Sequence, residues 1–257
     1  MSAKSWFSRE AGDSRRLRLY CFVHAGGNSA MYLRWRPQLG ESVEVCPVQL
    51  PGRGSRFLEP PIDTISELVS AITEAFAEES RGPFVFFGHS MGALLAFEIC
   101  RRLQALAHPL PELLIVSGCN SPQHFPPPKG LCRMPDEQLI DELYNYNGTP
   151  PEVLRDADLM SLLLPAIRAD FSVLENYRYQ PGSPLTIPIT AFAGREDTTR
   201  ISEVEKWQHE TTAEFRLHWF DGDHFFVQSE GKNVIARIMD EVSNLTGPSR
   251  LAHITKL

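Results

Sequence analysis

Short apolar runs and amphipathic runs alternate along most of this chain. Residues 17–23 (LRLYCFV), 43–50 (VEVCPVQL), 84–87 (FVFF), 113–117 (LLIVS), 189–193 (ITAFA) and 215–220 (FRLHWF) are brief and rich in branched or aromatic side chains. That length and composition predict strands buried on both faces. Between them, Ile65, Leu68, Ile72 and Phe76 recur at spacings of three and four, as do Leu95, Ile99, Leu103 and Leu106. Each set forms a stripe along one side of a helix. Strands alternating with helices predict an α/β domain, with a mostly parallel central sheet flanked by helices. Its chemistry belongs at the carboxyl ends of the strands.

The alternation lapses once, over residues 120–184. This stretch opens with the proline-rich SPQHFPPPKG and continues with helical patterns over 136–145, 151–164 and 165–177, without a convincing strand. It is an insertion between two strands. Its part from about 126 to 179 is expected to form a helical lid on a single domain of residues 1–257.

Composition narrows the function classes. With 257 residues, 42% apolar and 22% charged, the chain can bury a full core in one α/β-sized domain. The net charge of −7 and the lack of a basic cluster exclude a nucleic-acid binder, because phosphate contacts dominate such affinity. No apolar stretch approaches a membrane span and MSAKSWFSREAGDSRR has no apolar signal core, so a cytoplasmic protein without membrane attachment is expected. Cys21, Cys46, Cys100, Cys119 and Cys132 are odd in number, lack CxxC spacing and lie mostly in apolar runs. They read as reduced core thiols rather than a disulfide framework or a metal site.

The candidate chemistry starts at FGHSMGAL, residues 87–94. Ser90 stands between an apolar run and a helical pattern, with Gly88 and Gly92 two residues to either side. A nucleophilic serine at a sharp strand-to-helix turn needs neighbours without side chains, and the turn exposes its hydroxyl. A hydroxyl is a poor nucleophile near neutral pH, so a histidine must take its proton and a carboxylate must orient that histidine. In this architecture the acid follows a late strand and the histidine lies near the end. His224 in FDGDHFF fits, whereas His209 and His218 fall within a helix and a strand. Asp197 in GREDTT is the candidate acid, ahead of Glu196. Asp221 and Asp223 belong to Asp-Gly-Asp, which is ordinary turn chemistry. The amides of Met91 and, in the loop FVHAGG, Ala25 are the candidate oxyanion donors. His24 in that loop is expected to be a packed histidine.

Several segments together resemble the stand-alone type II thioesterases of the α/β-hydrolase superfamily, which accompany polyketide synthases and non-ribosomal peptide synthetases. The resemblance is carried by CFVHAGG, by VQLPGRGSR (48–56), by GHSMGALLAFE, by NGTPPEVLRDADLMSLLLPAIRADFSVLENYRY (147–179), and by GREDTT and GDHFF in that order. Val23 stands where the family often has proline. The resemblance implies that Ser90 is acylated from a phosphopantetheine thioester on an acyl or peptidyl carrier protein, and that water then releases the acid. It implies removal of stalled or aberrant acyl groups, with no cofactor beyond the carrier's own arm. An oxygen-ester carboxylesterase or lipase, a macrocyclising release domain and a non-catalytic carrier-binding module are the competing readings.

Leu159, Met160, Leu162, Leu163, Leu164, Ile167, Phe171 and Leu174 supply more apolar surface than one side of a surface helix buries. Part of the lid is therefore expected to face an acyl chamber, with Met160 and Phe171 as candidate substrate contacts. Carrier proteins tend to be acidic, so attraction to a chain at −7 must be local. Arg15, Arg16, Arg18, Arg53 and Arg56 form candidate patches, with ordinary surface charge as the competing reading.

Overall fold

Six strands pair side by side, and every pairing is parallel. The computed structural model describes residues 6–8, 17–79, 82–125, 129–197 and 201–245. The strands are β1 (Leu17–Phe22), β2 (Val43–Pro47), β3 (Phe84–His89), β4 (Leu113–Ser117), β5 (Ile189–Gly194) and β6 (Phe215–Phe220), in sheet order β2-β1-β3-β4-β5-β6. β2 stops at Pro47, and the following Val48 bridges Phe7 in the antiparallel sense.

The order places the chain's change of direction between β1 and β3, where Phe22 pairs with Gly88. Loops leaving two such strands diverge and open a crevice at the carboxyl edge. The segments after β1 and β3 therefore border one crevice.

Helices α1 (Ile65–Glu79) and α2 (Met91–Ala105) cover the sheet, and α5 (Gly231–Leu245) closes the chain. The side chains of α2 from Met91 to Phe97 are almost wholly buried, as a helix beneath a turn of this kind must be. Tyr20, Phe76, Phe84 and Phe86 meet edge-to-face or tilted, with centroids 4.7–6.0 Å apart, within the main core. Such pairs add to the energy of area burial alone.

The insertion contributes α3 (Asp136–Tyr146), a short turn at Pro151–Leu154 and α4 (Ala157–Glu175). The sequence pattern breaks this region before Pro165, but α4 runs through it. Asp156 starts the helix instead, with its carboxylate accepting from the Leu159 amide at 2.9 Å. Pro165 lacks the amide that would bond the preceding turn. The helix survives because Leu164, Ala166 and Ile167 are buried around it.

A separate apolar cluster lies inside the insertion: Leu131, Leu139, Leu143, Leu154, Met160, Leu164, Ile167 and Phe171. Val173 of the same α4 belongs to the main core. One helix thus serves two cores, which explains its surplus of apolar side chains. Met160 (1% exposed) and Phe171 (7%) hold the lid's own interior together.

Candidate active site

Ser90 forms the turn between β3 and α2 with φ 55° and ψ −118°, a conformation that side chains other than glycine rarely adopt. Strain of this kind costs roughly 1–3 kcal/mol and persists only where the surroundings fix it. Its amide donates to the Ser117 carbonyl at 2.7 Å, and its carbonyl accepts from Ala93 at 3.0 Å. The two glycines are explained by distance. A Cβ at Gly88 would stand 2.2 Å from the Gly92 carbonyl oxygen, and one at Gly92 would stand 2.2 Å from that of Phe22. Backbone, not a flexible side chain, blocks both positions. Gly92→Ala is therefore expected to destabilise the fold by about 3 kcal/mol or more. Urea denaturation would show this as a shifted midpoint, and an unshifted midpoint would contradict the packing described.

Asp197 follows β5 and His224 follows β6. His224 Nδ1 lies 2.9 Å from Asp197 Oδ2, with the imidazole 23% exposed and the carboxylate fully buried. An ionised carboxylate only accepts, so the Nδ1 proton faces it and Nε2 is left as the acceptor. The other acids near this loop have different duties. Glu196 is exposed, and Asp221 pairs with Arg195 at 3.2 Å on the surface. Asp223 caps its own turn, accepting from the Phe225 amide at 2.8 Å and from Asn147 Nδ2 at 3.3 Å. Thr198 and Thr199 of GREDTT lie outside the described residues.

Ala25 sits in a turn closed by the Gly27 amide on the His24 carbonyl at 2.9 Å, with Gly26 at φ 74°. A positive φ at that third position selects glycine. Met91 opens α2, where a helix leaves its first amides without internal partners. Among the described residues neither the Ala25 nor the Met91 amide makes a hydrogen bond. A groove of about 900 Å³ opens beside the same loop, bordered by His24, Gly26, Gly27, Trp35 and Gly148.

Two further histidines surround His224. The His89 ring is 5.1 Å from that of His224 and 6.0 Å from that of His24, and His24 packs on Phe225 at 5.1 Å. Burial lowers His24 to about 4, with the neighbouring His224 and Arg53 adding to the effect. His89, fully buried with Nδ1 2.9 Å from Ser117 Oγ, is also pushed well down, first by burial and then by His224 and His24. His24 stays neutral in the folded protein at pH 5–7, and burial pushes His89 in the same direction, whereas unfolded histidines protonate below about 6.5. The contribution of both is intact above that value and falls with pH below it; for His24 it is lost as pH falls toward 4, at about 1.4 kcal/mol per pH unit. Urea midpoints should therefore drop between pH 6.5 and 5, and His24→Gln should remove about one proton from that dependence. An unchanged slope would contradict a neutral, buried His24.

The arginine patches are corrected by the structure. Arg18 is buried against Glu44 at 3.3 Å. Arg56 pairs with Glu59 at 2.7 Å and stacks 3.9 Å above the Trp6 ring, and Arg53 is buried against Asp170 at 2.6 Å. None is available surface charge, and Arg15 and Arg16 lie outside the described residues. Asp170, His89 and Ser117 have no place in the sequence reading of the site. For Asp170 a signal exists, a lone carboxylate inside the apolar PAIRADFSVL, where an unpaired charge would not be buried.

A parallel sheet in this order, with a serine on a strained strand-to-helix turn, defines an α/β-hydrolase. The chain belongs to the thioesterase family: the Thioesterase domain model matches residues 17–242. It is 37% identical to the gramicidin S biosynthesis protein GrsT of Aneurinibacillus migulanus, over 95% of this chain and 96% of that one. It is 36% identical to thioesterase PikA5 of Streptomyces venezuelae, over 88% and 81% of the two chains. The solved structure of BorB, the type II thioesterase from the borrelidin biosynthetic cluster, superposes with a TM-score of 0.85 at 33% identity, covering 93% of this chain and 99% of BorB. The protein is thus an enzyme of the thioester-hydrolysing class. No helix among the described residues is long and apolar enough to cross a membrane.

Proposed function

We propose that the enzyme frees acyl groups from the phosphopantetheine arm of carrier proteins in polyketide or non-ribosomal peptide assembly, clearing stalled or aberrant chains. The observation that carries the chemistry is the contact of His224 with the buried Asp197 carboxylate, beside a strained Ser90 turn whose preceding residue, His89, has its ring 5.1 Å from that of His224. The substrate class is supported by the relatives, a gramicidin S biosynthesis protein and a borrelidin-cluster type II thioesterase among them.

Ser90 Oγ attacks the thioester carbonyl while its proton passes to His224 Nε2. Asp197 holds the imidazole in the required tautomer and stabilises its charged form. The tetrahedral oxyanion is received by the Ala25 and Met91 amides. As the C–S bond breaks, the imidazolium returns the proton to the departing sulfur, and the pantetheine thiol leaves. Water then gives a proton to Nε2 and attacks the acyl-serine, and the acid departs as Ser90 recovers its proton. No step needs a metal or a bound cofactor, since the pantetheine arm belongs to the carrier.

Turnover of an acyl-pantetheine thioester should exceed that of the matching oxygen ester. Preference for the oxygen ester would instead make the enzyme a carboxylesterase, and cyclic rather than linear product would make it a macrocyclising release enzyme. Binding of the carrier without turnover of either would reduce it to a carrier-binding module.

A further inference from the structure

Asp170 lies on α4, in the lid insertion, yet its fully buried carboxylate reaches the turn that follows β1. Oδ2 accepts from the Gly26 amide at 2.7 Å and from Arg53 Nη1 at 2.6 Å, while Oδ1 accepts from Arg53 Nη2 at 2.7 Å. Arg53 Nη1 also approaches the Gly27 carbonyl at 3.3 Å. Gln49 Nε2 donates to the Arg53 carbonyl at 2.8 Å, and the same Gln49 bonds Ser29 Oγ. One helical turn before Asp170, Ile167 lies against Gly26: a Cβ there would stand 3.3 Å from Ile167 Cγ1.

Residues 26–29 are thus tied at Gly26, Gly27 and Ser29 to parts of the chain far away in sequence. Ala25, the residue next to those ties, is the one assigned an oxyanion amide. A buried ion pair is not in itself a device for stability, because well-packed apolar residues of similar volume often do as well. What an apolar pair could not supply is the acceptor for Gly26. The Gly26 N–H belongs to the peptide plane that joins Ala25 to Gly26, so the Asp170 carboxylate fixes the plane on one side of Ala25, and the closed His24–Gly27 turn fixes the other.

We propose that Asp170, braced by Arg53, is a positioning residue for the oxyanion site, and that hydrolysis therefore depends on the lid helix being seated over Gly26. This rests on the reading of Ser90 and the Ala25 amide as parts of the reaction centre. With α4 displaced, the Gly26 amide would lose its acceptor and the Arg53 guanidinium its carboxylate, leaving the peptide plane between Ala25 and Gly26 without its tie. The lid then controls competence as well as access.

The test compares Asp170→Asn and the apolar double variant Arg53→Met/Asp170→Leu with the parent. Turnover is expressed per active site titrated with a fluorophosphonate. Affinity is measured for an alkyl boronic acid, whose boron bonds Ser90 Oγ and places a hydroxyl where the oxyanion forms. The double variant should lose roughly ten- to hundred-fold in kcat per site, the scale of a misplaced oxyanion donor, and boronate affinity should fall with it, whereas Asp170→Asn, whose amide oxygen can still accept from Gly26, should lose less. KM for a short acyl-pantetheine should change by less than about threefold, since ground-state binding does not use this amide. The double variant leaves no charge unpaired, so it should melt close to the parent while remaining slow, which a merely structural pair would not do. Parent-like kcat per site and boronate affinity in the double variant would overturn the proposal. Boronate binding that survives Ser90→Ala would fail one step earlier, overturning the reading of the reaction centre itself and the positioning role with it.

Discussion

Ser90→Ala is expected to lower thioester turnover by roughly 10⁴-fold or more, the scale on which loss of a serine nucleophile disables related chemistry. The fold should survive. Oγ of Ser90 makes no hydrogen bond among the described residues, and the strained backbone stays held by the Ser117 carbonyl and by the helix beginning at Met91. Residual activity would come from substrate binding and the oxyanion amides alone. Steady-state turnover with an acyl-pantetheine, beside a thermal melt of the same sample, separates lost chemistry from lost structure. A variant that melts like the parent and turns over like it would remove Ser90 from the mechanism.

The second large effect is expected at Asp197. Asp197→Asn keeps the volume of the side chain but replaces one acceptor oxygen with a donor. The imidazole can then be held with its proton on Nε2, where it cannot take the proton of Ser90, and kcat should fall by roughly 10⁴-fold. Asp223→Asn should leave turnover within about threefold of the parent, because its bonds to the Phe225 amide and Asn147 serve a turn and not the imidazole. Parallel kinetics on the two variants decide between them. A severe loss at Asp223 with near-normal activity at Asp197 would move the acid into the Gly-Asp-His loop.

What could be read in the sequence depended on how local its cause was. The six strands were legible because brief branched and aromatic runs have few other places to go in a chain of this size. The Ser90 turn was legible because its two glycines are required by backbone contacts within a few residues and by the neighbouring strand. The closeness of Asp197 and His224 followed from their places after the fifth and sixth strands. The lid was harder to read. Its apolar side chains announce burial without saying against what, and α4 divides them between the lid's interior and the main core. Met160 and Phe171 therefore read as an acyl-chamber surface, although they pack among Leu139, Leu164 and their neighbours. Pro165 reads as a helix boundary when only the backbone is considered, because the burial that carries the helix through it is tertiary.

Arg53 and Arg56 show the same limit in electrostatic form. PGRGSR reads as an exposed, positively charged loop, yet Arg53 finds its carboxylate 117 residues later and Arg56 finds an aromatic face near the N-terminus. No periodicity links such positions. Only the fold brings the lid helix, the loop after β2 and the turn after β1 to one point.

The central claim is that an acyl group passes from the carrier's arm to Ser90 before water removes it. The most direct measurement is intact-mass and peptide-level mass spectrometry, after rapid acid quench of the enzyme mixed with an acyl-phosphopantetheinyl carrier protein. The predicted result is a transient mass increase equal to the acyl group, located on the peptide that contains Ser90 and absent from Ser90→Ala. Release of acid at the full rate without any acylated enzyme, or with the acyl group on another residue, would contradict it.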